Sequence, residues 1–235
     1  MSRQRDLLMD VFLACPYPLS KWVYRLGRRA VRKNPRRELF ELAFRTAAEK
    51  GIDGDYLEFG VYRGSTFVCA FEVAQRQHRD NMRFFAFDCF EGLPDGEGDV
   101  FEAGAFAFPE HMFRKVIRKA GVAPDRTVVV KGLYNESLNE TTKRDTGLKR
   151  AAIVLVDCDI YSSTKDVLAF IEDLIGLGTV LMFDDWYDFG PHPEDYGEAK
   201  AFGEWRLKDC FDELYDCPGP GMTGKGFVMA RTPSS

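Results

Sequence analysis

"IVLVDCDIYSS", residues 153–163, decides the fold. Four apolar residues rich in β-branching run into Asp157 and Asp159, the pattern of a short buried strand that stops at charge. A second run of the same kind, "TVLMFDDWY" at 179–187, ends in the adjacent acids Asp184 and Asp185. Carboxylates crowded at neighbouring strand ends resist joint ionisation unless a cation compensates them. Oxygen-only ligands suit a hard ion such as Mg²⁺, which takes few carboxylates and leaves positions for water or substrate. The competing reading is that one pair caps a helix or meets Lys/Arg at the surface. One acidic strand end is commonplace, but two favour a metal site.

Working outward, short apolar strands alternate with helices. "RRELFELAFRTAAEKG" reads as a helix ending at Gly51, with Leu39, Leu42 and Ala43 on one face. "YLEFGV" is a strand, "GSTFVCAFEVAQRQH" a helix, and "MRFFAFDCF" a second strand. Residues 91–108 form a Gly- and Phe-rich loop, with the composition of either an apolar lid or core filling, and "PEHMFRKVIRKAG" is the helix after it. "RTVVVKG" and "AAIVLVDCD" are strands three and four, "STKDVLAFIEDLIG" a helix, "GTVLMFDDW" strand five and "GEAKAFGEWRLKD" a helix. "FDELYD" and "FVMAR", joined by a Gly/Pro turn, read as a closing hairpin. This alternation predicts an α/β fold of parallel βαβ units, its sheet covered by helices on both faces. Ligands then bind at the carboxyl ends of the strands. Glu58, Asp88, Asp157, Asp159, Asp184 and Asp185 all fall at such ends and are expected on one rim.

"LEFGVYRGST" (57–66) places Glu58 two residues before Gly60, with Gly64, Ser65 and Thr66 opening a helix. Glycines there permit a tight turn, and the helix N-terminus presents free N–H groups to a carboxylate or phosphate. An ordinary β–α turn has the same look. Asp88 in "FDCFEGLP" lies where nucleotide-binding α/β folds carry a ribose-binding acid, with Glu91 in reserve; a turn-initiating aspartate is the alternative. Tyr161 and Trp186, just past the acid pairs, are candidate pocket walls, and His192 reads as a solvated loop residue.

The chain has 235 residues and a net charge of −5, so the body of the protein has no electrostatic reason to bind nucleic acid. Residues 1–37 carry ten Lys/Arg against two Asp, a balance of +8 that leaves −13 for residues 38–235. This basic leader, expected to form helices over 3–14 and 19–33, fits a solvated face, an oligomer arm or peripheral contact with a membrane surface. No apolar run has transmembrane or signal length, and the six cysteines show no metal-type spacing, which together suggest a reducing cytoplasm.

Taken jointly, "YLEFGVYRGST", "FDCFEGLP", "VDCDIYSST" and "FDDWY" resemble the Mg²⁺-dependent sugar O-methyltransferases of the macrocin O-methyltransferase type, a branch of the class I S-adenosylmethionine-dependent methyltransferases. The resemblance spans about residues 55–187. It implies a Rossmann-like sheet of strand order 3-2-1-4-5-7-6 with strand seven antiparallel. It also implies an N-terminal helical extension (1–50) ahead of a methyltransferase domain (51–235). By the same resemblance Glu58, Gly60, Tyr62, Gly64, Ser65, Thr66 and Asp88 contact S-adenosylmethionine, Tyr62 standing where many class I enzymes have another glycine. Asp157, Asp184 and Asp185 become Mg²⁺ ligands and Asp159 the general base. The acceptor would be a sugar or glycosylated small molecule with adjacent hydroxyls, and the protein a homo-oligomer. Cys158 and Trp186 depart from the family's glycine and tyrosine. Two rivals are a metal-dependent hydrolase or phosphoryl-transfer enzyme, which would ignore S-adenosylmethionine, and a non-catalytic module that keeps only the fold.

Overall fold

The computed structural model describes residues 35–94, 103–187, 192–217 and 223–233. The basic leader with its two expected helices, and the middle of the Gly/Phe loop, lie outside the described residues. In chain order the elements are α1 (Pro35–Glu49), β1 (Asp55–Phe59), α2 (Ser65–Arg76), β2 (Phe84–Asp88), α3 (Glu110–Ala120) and β3 (Thr127–Lys131). There follow α4 (Tyr134–Ser137), α5 (Glu140–Thr146), β4 (Ala151–Val156), α6 (Tyr161–Ile171), β5 (Val180–Phe183), α7 (Gly197–Glu204), β6 (Phe211–Asp216) and β7 (Lys225–Met229).

The seven strands form one sheet of order β3-β2-β1-β4-β5-β7-β6. Strands β3, β2, β1, β4 and β5 pair in parallel, and β7 runs antiparallel to both β5 and β6. The expected fold and closing hairpin are therefore present. Register then places the site. Phe59 stands level with Phe87 on one side and Val156 on the other, and Val156 with Phe183. Four parallel strands end at one height, so Gly60, Asp88, Asp157 and Asp184 emerge side by side.

Period-2 alternation splits the buried residues between two faces. Tyr56, Phe84 and Ala86 face a layer built from α1, α2 and α3, with Phe40, Phe44, Phe67, Phe71 and Phe113. Leu57, Phe59, Phe85 and Phe87 face the other layer, with Phe170 and Ile171 of α6 and Phe202 of α7. The α1 face differs from the expected one. Phe40, Ala43, Phe44 and Ala47 are buried, while Leu39 and Leu42 are half-buried. Aromatic contact decides this, because Phe40 and Phe44 lie 6.3 and 6.2 Å from the Tyr56 ring.

The helices α4 and α5 had no apolar period to announce them. Local hydrogen bonding makes α5: Asn139 caps it by accepting from the Thr142 N–H at 3.0 Å, and left-handed Gly147 ends it. Helix α7 is shorter than its apolar pattern suggested, since Trp205 turns to extended backbone. Among the described residues no helix is long and apolar enough to cross a membrane.

Candidate active site

A cleft of about 640 Å³ opens over the carboxyl ends of β1, β2, β4 and β5. Gly60, Tyr62, Ser65, Thr66, Asp88, Asp157, Asp159, Asp184 and Asp185 all line it. Its volume falls in the range of small-molecule and cofactor sites.

The β1–α2 turn is built around Gly60. Its φ is +86°, and a Cβ there would sit 1.8 Å from the Asp157 carbonyl oxygen. Only glycine lets the end of β1 pass the end of β4 so closely. Asp88 secures the same turn from β2. Its Oδ2 accepts the N–H groups of Val61 (2.9 Å) and Tyr62 (3.2 Å), and its Oδ1 that of Phe90 (2.7 Å). A carboxylate has about four acceptor positions, so one remains for a ligand hydroxyl.

Glu58 departs from its expected place on the rim. It shares a sheet face with Tyr56 and points into the α1–α2 layer, fully buried. There it accepts the Tyr56 hydroxyl at 2.5 Å and the Thr66 hydroxyl at 2.6 Å. Burial pushes its carboxyl up to about 8, with the Thr66 and Tyr56 hydrogen bonds pulling the other way. Gly64, too, is absent from the cleft wall. It ends the turn at φ +77°, where a Cβ would meet the Phe113 ring at 2.9 Å.

The acids of β4 and β5 do converge. Carboxylate oxygens of Asp157, Asp184 and Asp185 lie within 4.8 Å of one another. Burial and the Asp184 charge push Asp157 up; burial, then Glu198 and Asp157, do the same for Asp185. Buried Oδ2 of Asp185 has no hydrogen-bond partner among the described residues. Crowded, desolvated carboxylates with one oxygen unclaimed are a donor set that suits a hard divalent cation. Asp159 stands beside them in left-handed backbone, φ 60°, a conformation uncommon outside glycine but tolerated by aspartate.

Two further residues contribute to the site without any motif to mark them. Arg36, in the first turn of α1, reaches into the cleft and pairs with Asp184 at 2.5 Å. Glu198 of α7, only 1% exposed, accepts the backbone N–H of Cys158 (3.4 Å) and of Asp185 (3.1 Å). Burial raises its carboxyl, the Asp185 amide lowers it, and the charges of Asp184 and Asp159 raise it further. A signal existed: Glu198, Ala201, Phe202 and Trp205 follow i, i+3, i+4, i+7, which puts an acid on the buried stripe of a helix.

Neither expected pocket wall lines the cleft. Trp186 packs into an aromatic cluster with Phe183, Phe202 and Phe227 at centroid distances of 5.1–5.6 Å, and the Tyr161 hydroxyl turns to Glu204. His192 is exposed beside Glu194. Cys158 is buried with its sulfur 3.5 Å from the Thr164 hydroxyl. Phe106, from the Gly/Phe loop, does line the cleft, edge-on to Tyr62 at 5.9 Å.

Comparison with known proteins adds a family and a fold. The family model for macrocin O-methyltransferase (TylF) matches residues 29–198. The 8-demethyl-8-(2,3-dimethoxy-α-L-rhamnosyl)-tetracenomycin-C 4′-O-methyltransferase of Streptomyces olivaceus is 26% identical over 151 residues, 60% of this chain and 56% of that one. The demethyldecarbamoylnovobiocin O-methyltransferase of Streptomyces niveus is 25% identical over 182 residues, 73% and 65% of the two chains. The chain thus spans less than two thirds of either relative's length. Among solved structures, the calicheamicin methyltransferase CalS11 superposes with a TM-score of 0.73 at 21% identity, covering 97% of this chain and 91% of that one. The O-methyltransferase NovP gives 0.68 at 19% identity, with 83% and 80% covered. These two likenesses are of fold.

Proposed function

We propose, from the premise that this chain belongs to the macrocin O-methyltransferase family, that it is an S-adenosylmethionine-dependent O-methyltransferase acting on a hydroxyl of a sugar or glycosylated small molecule. The observation that carries the reading is the convergence of Asp157, Asp184 and Asp185 in the cleft that also holds the Gly60 turn and Asp88. The rhamnosyl group in the tetracenomycin relative's name supports a glycosylated acceptor.

S-adenosylmethionine, when bound, supplies an electrophilic methyl group on a sulfonium. Asp157, Asp184 and Asp185 would hold Mg²⁺, which would supply Lewis acidity toward an acceptor oxygen. The chain's own residues do the rest. Gly60 leaves the backbone open to close approach by the cofactor, and Asp88 holds the turn while offering its remaining acceptor position to a ribose hydroxyl. Val61 and Tyr62 are fixed through their amides, so donor and acceptor meet in a set orientation, which is where much of the rate comes from in such displacements. Asp159 takes the acceptor's hydroxyl proton as general base. Its position on the cleft wall, next to the three acids, supports that role.

Calorimetric titration with S-adenosylhomocysteine, with and without Mg²⁺, tests the proposal. Micromolar binding is expected. Absence of binding under both conditions overturns the methyltransferase reading and returns the acids to a hydrolase or purely architectural role.

A further inference from the structure

Strands β4 and β5 stop pairing where the chemistry begins. The last bond of their ladder runs from the Asp184 N–H to the Val156 carbonyl at 3.1 Å. Beyond it the two chains separate into loops that carry Asp157 and Asp159 on one side and Asp185 on the other. These loops repel each other through their carboxylates, so something must hold them at a fixed separation.

We infer that Glu198 is the positioning residue that sets the spacing of the metal ligands, by clamping the two acidic loops through one carboxylate. Its Oε1 accepts the Cys158 N–H, next to Asp157, and its Oε2 accepts the N–H of Asp185 itself. Glu198 does not line the cleft, so it acts through the loops and not on a substrate. Neutral alternatives do not replace it. The clamp needs two acceptors on one planar group, and a glutamine has one acceptor and a donor that would face an N–H. Placing a fourth acid behind three others costs electrostatic energy, and the two amide bonds offset part of it. The inference rests on reading the acidic rim as a cation site; the clamp has its own readout.

The test compares the unaltered protein with Glu198→Gln and Glu198→Asp by Mg²⁺ titration, S-adenosylhomocysteine titration and amide hydrogen exchange. Groups that orient ligands from behind are worth about 10–100-fold in metal affinity. Glu198→Gln is expected to weaken Mg²⁺ binding by about that factor, leave S-adenosylhomocysteine affinity unchanged, and speed exchange at Cys158 and Asp185. Glu198→Asp keeps two acceptors on a shorter stem and is expected to recover part of the Mg²⁺ affinity. Unchanged Mg²⁺ affinity in Glu198→Gln would overturn the inference, as would equal losses of Mg²⁺ and S-adenosylhomocysteine binding, which mark a general structural role. If the unaltered protein binds no Mg²⁺, the cation reading itself fails. Exchange at Cys158 and Asp185 then decides the clamp alone, supported by acceleration in Glu198→Gln and overturned by its absence.

Discussion

On β1, Glu58 has both carboxylate oxygens met by hydroxyl donors, Tyr56 at 2.5 Å and Thr66 at 2.6 Å. Two strands away, past β5, Asp185 is almost as deeply buried, yet its Oδ2 has no partner among the described residues and two further acids stand within 4.8 Å. The first arrangement is closed: a fully buried acid away from the cleft, with a neutral donor on each oxygen. The second is open, because acids gathered without enough donors are stable only with a positive charge among them. Arg36 supplies part of that charge by its pair with Asp184. Residue type alone does not separate the two sites; what surrounds the carboxylate does. A closed acid fixes structure, and an open set is where chemistry is placed.

The strongest test of this contrast lies at the open site. Asp159→Asn keeps shape and hydrogen-bonding capacity but cannot take a proton. Turnover is expected to fall about 10²–10⁴-fold, the usual worth of a general base. S-adenosylhomocysteine affinity, measured by calorimetry, should stay at the unaltered level. Turnover near that of the unaltered protein would remove Asp159 from the base role.

At the closed site the effect is on folding. Glu58→Ala leaves the Tyr56 and Thr66 hydroxyls buried without their acceptor, at about 1–3 kcal/mol each. Thermal or urea unfolding should report a total loss of about 2–6 kcal/mol. Glu58→Gln, neutral and nearly isosteric, should lose only about 1 kcal/mol. The two proteins should also differ with pH. The Glu58 carboxyl holds its proton up to about 8 when folded, against an ordinary value of 4.5. The folded state therefore binds the extra proton between those values, and stability falls as pH rises through that window. The unaltered protein should lose stability relative to Glu58→Gln by up to about 1.4 kcal/mol per pH unit there. A flat difference between pH 5 and 8 would mean that Glu58 is already ionised, and the closed site less closed than its geometry indicates.

The open site should respond to metal where the closed one does not. At a hundredfold excess over its Kd, Mg²⁺ stabilises a folded protein by about 2.7 kcal/mol, or about 5–10 °C in Tm at this chain length. Asp185→Asn should abolish that shift while leaving the Tm in chelator unchanged or higher, since one repelling charge is gone. Glu58→Gln should retain it. A Mg²⁺ shift that survives Asp185→Asn would place the cation elsewhere.

How much of this contrast could be read beforehand follows from what each feature depends on. The five parallel strands were visible because β-branched and aromatic runs alternate with helical periods, and the acids at the ends of β4 and β5 interrupt such runs abruptly. That Gly60, Asp88, Asp157 and Asp184 stand abreast follows once the parallel register is fixed. Glu58 is expected on the rim because it falls near the end of a strand; its side-chain direction is set instead by the face it shares with Tyr56. The helices α4 and α5 are invisible to periodicity, being polar on nearly every side, and α5 is held by a cap. Glu198 lies 13 residues beyond Asp185, and no local pattern says which strand ends a helix will reach.

The smallest expected effect concerns the residue between the two acids of β4. The sequence resemblance implies that glycine is usual where this chain has Cys158, which raises the question of whether the bend there is strained. Backbone geometry answers that the left-handed residue is Asp159, at φ 60°, and Cys158 is not among the positive-φ residues described. Glycine at 158 would therefore relieve nothing. It would remove a buried sulfur from contact with Thr164 and loosen the chain, at a cost of about 1–2 kcal/mol. Cys158→Gly should accordingly lower Tm by about 2–8 °C in chelator and leave the Mg²⁺ shift intact. A rise in Tm would show that strain is stored at 158 and that the open site is held by its backbone as well as by Glu198. A fall in Tm with Mg²⁺ affinity preserved would leave the spacing of the acids to the clamp from α7.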